Sequence, residues 1–175
     1  EEMFKTQLRA ILRASIYGNV QIMFPMITKV EEVIKAKEYL EGVKQELKAE
    51  KAFFDENIKV GVMIETPAAV MLSGELAREV DFFSIGTNDL TQFTLGMDRT
   101  NEAVVSHYDT KHPALLKMIR IVTNNVHLEG KTISVCGDLA ADLSMTEFFV
   151  QIGVDELSVA PDQVLGLRKK IREIQ

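Results

Sequence analysis

Five short, nearly continuous apolar runs recur along the chain, separated by longer stretches with helical periodicity, and this alternation limits the possible folds more than any other feature. The runs are "VQIMFPMI" (20 to 27), "KVGVMIE" (59 to 65), "DFFSIG" (81 to 86), "TISVCG" (132 to 137) and "ELSVA" (156 to 160). Apolar runs of this length read as parallel strands covered on both faces. In "VEEVIKAKEYLEGVKQELKAE", Val30, Val33, Ile34, Leu40, Val43 and Leu47 fall near one stripe, with lysines and glutamates outside. "TPAAVMLSGELAREV" opens on Thr66 as N-cap and Pro67 at the first helical position. "HPALLKMIRIVTNNVHLEG" begins at Pro113 and stops at Gly130. "DLSMTEFFVQIG" and "QVLGLRKKIREI" complete the series, and residues 3 to 17 supply one more helix ahead of the first run.

The order is a helix followed by five strand–helix repeats, which predicts a parallel sheet with right-handed crossovers. Two architectures satisfy it: an open doubly wound sheet, or part of a (β/α)8 barrel. Such barrels have about 250 residues and eight repeats, so a barrel built from these five lacks its first part. No Ser/Pro-rich linker divides the 175 residues, and 46% hydrophobic residues suffice for one core.

Composition also sets the chemical limits. The net charge of −6, with no lysine/arginine stripe to offset it, argues against a nucleic-acid surface. No apolar run approaches the roughly 20 residues that span a bilayer, and the N-terminal sequence does not read as a signal peptide, so a cytoplasmic chain without membrane insertion is expected. The single cysteine, Cys136, excludes an intrachain disulfide framework and a zinc site built from several thiolates. An acidic protein that binds a phosphorylated substrate needs local cations, either arginines or a metal ion.

Parallel α/β folds of both kinds bind ligands beyond the carboxyl ends of their strands. The second run ends on Glu65, the third passes through Gly86 into Thr87, Asn88 and Asp89, and the fourth ends on Cys136, Gly137 and Asp138. Three neighbouring strands thus send polar groups to one rim. Each residue also has a plainer reading: Glu65 as a rim carboxylate paired with a lysine, Asn88 and Asp89 as caps of the helix that follows, Cys136 as a small buried hydrophobe, and Arg99 as a solvated or salt-bridged side chain. Taken together, Glu65 and Asp89 with an adjacent amide form the oxygen-rich, thiolate-poor setting that Mg²⁺ prefers, and Mg²⁺ takes one or two protein carboxylates alongside water and substrate phosphate. Metal and Arg99 would then hold a phosphate on an acidic protein. A thiol with an ordinary pKa of about 8.5 is mostly protonated at neutral pH, so Cys136 suits a proton donor as well as a nucleophile. His107, His112 and His127 show no metal-ligand spacing, and no glycine-rich phosphate loop is present.

The stretches "VGVMIETPAAV", "DFFSIGTNDLTQFTLGMDRTN", "CGDLA" and "GVDELSVAP", in this order and spacing, resemble the C-terminal half of the phosphoenolpyruvate-binding domain of the Enzyme I family. These are the phosphoenolpyruvate–protein phosphotransferases of bacterial sugar uptake. "LRAILRASIYGNVQIMFPMI" is similar too, so the resemblance covers nearly the whole chain. It implies a (β/α)8 barrel of which residues 1–175 supply strands four to eight, with Mg²⁺ on Glu65 and Asp89. Phosphoenolpyruvate would sit on Asn88, Asp89 and Arg99, and Cys136 would protonate the enolate carbon as pyruvate leaves. The phosphoryl group would pass to a histidine on a separate N-terminal domain and on to a histidine-containing phosphocarrier protein; homodimers are the family's habit.

Asp138, Ala141 and Ala160 depart from the glutamate, glycine and serine more usual in that family. The first three strands, their arginines and the phosphohistidine domain are not in this sequence, so a chain inactive on its own is expected. Two alternatives remain open: a pyruvate phosphate dikinase or phosphoenolpyruvate synthase barrel, and a non-catalytic dimerisation or regulatory module.

Overall fold

A computed structural model describes residues 1–174. Helix α1 (Glu2–Ala14) leads through a short 3₁₀ turn into strand β1 (Gln21–Phe24), followed by α2 (Val30–Ala49) and β2 (Lys59–Ile64). Next come α3 (Pro67–Met71), α4 (Ser73–Glu79), β3 (Phe82–Gly86) and α5 (Thr87–Leu95). The chain continues with α6 (Pro113–Leu128), β4 (Thr132–Cys136), α7 (Asp138–Ala141), α8 (Thr146–Ile152), β5 (Glu156–Leu157) and α9 (Val164–Glu173). All five expected strands form.

The sheet is wholly parallel, and its spatial order is β1-β2-β3-β4-β5, the same as the order in sequence. A doubly wound sheet reverses direction at a switch point, whereas an unbroken sequential order is the arc of a (β/α)8 barrel. The two architectures left open by the sequence are thereby separated in favour of a partial barrel.

The strands are covered on one face only, not on both as expected. Ile22, Phe24, Val62, Ile64, Phe83, Ile85, Ile133 and Val135 point under the helices and are all buried. Alternate residues point the other way, and Gln21, Met23, Lys59, Ser84, Ser134 and Cys136 line a hollow of about 540 Å³ on the concave side. The runs look continuous because Met23, Gly61, Met63 and Phe82 make the inner face half apolar; Phe82 lies across Gly61, where a Cβ would stand 2.5 Å from its ring.

Outside, α1 packs on α2, α2 on α4 and α4 on α6. Leu8 and Leu12 of α1 and Val33, Leu40, Val43 and Leu47 of α2 are buried in that layer, each worth about 1.5–3 kcal/mol of apolar burial. Ile34, expected on the same stripe, is instead 42% exposed. The segment after Thr66 breaks into two helices at Leu72, where the Ser73 hydroxyl donates back to the Val70 carbonyl and accepts from the Asn125 amide. Back-bonding of this kind bends helices. No described helix is long and apolar enough to cross a membrane.

Carboxylates also fasten the amino-terminal rim. Asp81, just ahead of β3, donates its N–H to the Val60 carbonyl (2.7 Å) and accepts the Val60 N–H through Oδ2 (2.9 Å). Asp155, just ahead of β5, does the same to Ile133, at 3.1 and 2.8 Å, and its Oδ2 also meets His127 Nε2 at 3.1 Å.

Candidate functional site

The carboxyl rim collects Glu65, Asp89 and Cys136, as their places at neighbouring strand ends predict. Glu65 is 6% exposed, and its Oε1 accepts the Met26 N–H at 2.7 Å. Met26 offers that N–H from a left-handed conformation, φ 55°, that a non-glycine residue rarely adopts. Alongside, the Thr66 hydroxyl donates to the Ile27 carbonyl (2.8 Å) while accepting from Ala69 N–H (3.1 Å), so the ends of β1 and β2 are tied together. Gly86 leaves the room that Glu65 fills: a Cβ there would lie 2.9 Å from Glu65 Oε2 and 3.1 Å from Met63 Sδ.

The Glu65 and Asp89 carboxyl groups meet. Burial, first, and then the Asp89 charge and hydrogen bond push the Glu65 pKa up, opposed only by the Met26 N–H; no cation is among the groups acting on it. Two converging carboxylates without a protein cation suit a divalent ion. No described set of three or more His, Cys, Asp and Glu side chains is gathered as a closed metal cage. A two-carboxylate platform is the donor number that Mg²⁺ uses when water and phosphate supply the rest.

Cys136 is paired with Gly86 across the β3–β4 ladder. Its Sγ lies 3.4 Å from the Ile85 carbonyl, 3.7 Å from Ser84 Oγ and 3.9 Å from Met63 Sδ. Burial raises the thiol pKa, and the Glu65 and Asp89 charges raise it further against the Ser84 hydrogen bond. The group is therefore a protonated thiol at neutral pH, half-buried on the inner face.

Asn88 and Asp89 do not cap α5. The helix begins one turn earlier than "LTQFTLGM" suggests, with Gly86 as N-cap, so both lie inside its first turn. The Asn88 amide instead caps a different element, its Oδ1 accepting the Asp138 N–H at 3.0 Å. Thr87 Oγ1 donates to the Cys136 carbonyl at 2.8 Å. Gly137, between them at φ 89°, has no space for a side chain, since a Cβ would lie 2.5 Å from Thr87 Oγ1. The β3–α5 and β4–α7 turns thus interlock.

Arg99 is exposed on the loop after α5 and makes no ion pair among the described residues; its backbone N–H donates to Gln92 Oε1. It is not packed into the Glu65–Asp89 cluster. Sequence reasoning missed Tyr108, whose hydroxyl donates to the Asn88 carbonyl at 2.7 Å. A lone aromatic in a loop carries no periodic signal. Of the histidines, His112 Nδ1 accepts from Ala114 N–H at the start of α6, and His127 pairs with Asp155.

The chain is similar to known proteins over its whole length. Residues 1–175 match the family described as PEP-utilising enzyme, PEP-binding domain. The phosphoenolpyruvate-protein phosphotransferase of Haemophilus influenzae is 47% identical over 99% of this chain and 30% of its own length. Its Listeria monocytogenes counterpart is 44% identical over the same shares. The chain therefore spans about 30% of the length of the curated relatives it matches. Among solved structures, a citrate lyase from Burkholderia xenovorans superposes with a TM-score of 0.72 at 19% identity, covering 95% of this chain and 53% of that one. Haloferax volcanii malate synthase gives 0.66 at 16%, covering 95% and 50%. These two show the fold.

Proposed function

The chain belongs to the PEP-utilising enzyme, PEP-binding domain family, and from that premise we propose that it supplies the phosphoenolpyruvate and Mg²⁺ site of a phosphoenolpyruvate–protein phosphotransferase. Residues 1–175 form strands four to eight of the barrel in this reading. The observation that carries it is one rim where the buried Glu65 carboxyl faces the half-buried Asp89 carboxyl without a protein cation, beside a thiol kept protonated.

Glu65 and Asp89 hold Mg²⁺, which when bound neutralises charge on the phosphate and the enolate oxygen. Asn88 and Arg99 contact the substrate's anionic groups. As the bond between phosphorus and the enol oxygen breaks, the phosphoryl group passes to a histidine nitrogen on another domain. The oxygen's electrons form the pyruvate carbonyl, and the methylene carbon takes its proton from Cys136. The leftover thiolate regains a proton from water. A cytoplasmic setting, sugar uptake, onward transfer to a histidine-containing phosphocarrier protein and a homodimer complete the proposal. The names of the relatives support a phosphotransferase over a dikinase or synthase. Self-association is supported by β1 and β5, each hydrogen-bonded to a strand on one side only.

Titration calorimetry of the chain with phosphoenolpyruvate in millimolar Mg²⁺ tests the site. Binding that disappears in Asp89→Ala is expected. No binding by the parent chain would leave a structural or dimerisation module as the better description. Pyruvate release by this chain alone is not expected, and its detection would overturn the reading that other domains are required.

A further inference from the structure

Arg99 sits on an exposed loop, and one of the contacts that hold that loop is made by the Tyr108 hydroxyl. The loop leaves α5 at Gly96 and returns to α6 at Pro113. Four contacts tie it down: Met97 N–H to the Gln92 carbonyl, Arg99 N–H to Gln92 Oε1 (3.3 Å), Tyr108 Oη to the Asn88 carbonyl (2.7 Å), and Lys111 Nζ to Asp142 Oδ2 (2.7 Å) and Ser144 Oγ (2.9 Å). The first two reach Gln92 near the helix end, and the last reaches a different turn. Among these four, the Tyr108 contact is the one that joins the loop to a residue of the proposed substrate site. Tyr108 is half-buried there, with the Thr91 hydroxyl and the charges of Arg99, Asp138 and Asp89 around its phenol.

We propose that Tyr108 is a positioning residue for phosphoenolpyruvate: its hydroxyl pins the Arg99 loop onto the carbonyl of Asn88, so that the guanidinium and the Asn88 amide present themselves together to one anionic group. This rests on the substrate roles proposed above for Asn88 and Arg99. Asn88 makes a second, separate link through its side chain, where its Oδ1 accepts the Asp138 N–H beside the Cys136 turn. Cation, amide and acid are thereby set on one connected frame, with Tyr108 as the outermost link.

Trypsin cleavage after Arg99, followed by mass spectrometry, reads the loop directly. Without ligand, Tyr108→Phe should speed that cut about 5- to 10-fold, the factor matching about 1 to 1.4 kcal/mol for one hydrogen bond. Cleavage elsewhere and the thermal midpoint should stay nearly unchanged. Mg²⁺ with phosphoenolpyruvate should protect Arg99 in both proteins, the variant needing several-fold more phosphoenolpyruvate at an unchanged Mg²⁺ requirement. Adding Tyr108→Phe to Arg99→Ala should cost no further affinity. An equal ligand-free cutting rate overturns the role of the hydroxyl, and so does a loosened loop with unaltered phosphoenolpyruvate dependence. If phosphoenolpyruvate never protects the parent chain, the substrate reading fails and the positioning role falls with it, while the ligand-free rates still decide whether Tyr108 holds the loop.

Discussion

Carboxylates accept a backbone N–H at both rims of this sheet, yet the two rims use the group to opposite ends. At the amino-terminal rim, Asp81 and Asp155 are exposed, each accepts one N–H from the preceding strand, and the contact closes a ring with a second backbone bond. At the carboxyl rim, Glu65 also accepts one backbone N–H, but it is buried and set against Asp89 with no cation in reach. The first arrangement spends nothing on desolvation and fastens strands. The second sets a buried carboxyl against a half-buried one of the same sign, which costs stability unless something positive arrives. The difference separates a carboxylate that fastens strands from one whose burial no protein cation offsets.

The largest expected effect comes from exchanging the same group at the two rims. Asp89→Asn should weaken Mn²⁺ binding, followed by electron paramagnetic resonance, by at least about 100-fold, because even outer partners of metal ligands cost about 10- to 100-fold. Asp155→Asn should leave it unchanged. Comparable losses in both would erase the distinction.

Next in size is Glu65→Gln, which keeps an acceptor for the Met26 N–H and removes the charge. The Glu65 pKa is raised in the folded state, so its contribution to stability is full below the ordinary carboxylate range and lost as pH rises through the raised value. The metal-free variant should therefore gain about 1–3 kcal/mol over the parent at pH 8, in the range of a buried uncompensated polar group, and nothing at pH 4. Thermal melts at the two values decide it. At pH 8 its Cys136 should also react faster with iodoacetamide, since one charge that raises the thiol pKa is gone.

At the other rim, Asp81→Ala and Asp155→Ala should each cost about 1 kcal/mol in urea unfolding and add in the double variant, the sites being well separated. Their cost should persist with or without Mg²⁺. Smallest is the solvent-facing Lys111–Asp142 pair: Asp142, hydrogen-bonded to Lys111 and Ser144, has its pKa held down to about 2. Its contribution, under about 1 kcal/mol for an exposed pair, is present above the usual Asp range and is lost as pH falls toward 2. Comparing acid unfolding of Asp142→Asn with the parent measures it.

The strands were legible because each apolar run had to be buried, and all five lie within the expected stretches. Which faces are covered was not, since Met23 and Phe82 read as core although they face the hollow. The last strand was read over five residues and pairs over two, Glu156 and Leu157; an edge strand has neighbours on one side only, and the ladder ends early. Glu65, Asp89 and Cys136 were visible as strand-end polar residues, and strand register brings them together. The Asn88 contact with Asp138 was not visible, because capping looks local in sequence and here links residues far apart. Arg99 and Tyr108 lie on a loop, where no periodicity says which side chain turns inward.

The Asp81 and Asp155 staples mark a rhythm in how the chain assembles. Each closes the pair of strands joined by the shorter connection, Gly61 with Phe82 and Ser134 with Glu156. The unstapled pairs, Gln21 with Lys59 and Phe82 with Thr132, enclose roughly twice as many residues, and closing a longer loop costs more chain entropy. Two βαβ units should therefore form first and then zip together along β3 and β4. Pulse-labelled hydrogen exchange should find Val60 and Ile133 amides protected before those of the β3–β4 ladder. The seam that joins the two units last is also the seam on which Asn88, Cys136 and Asp138 meet, so the site is finished only when the halves have docked.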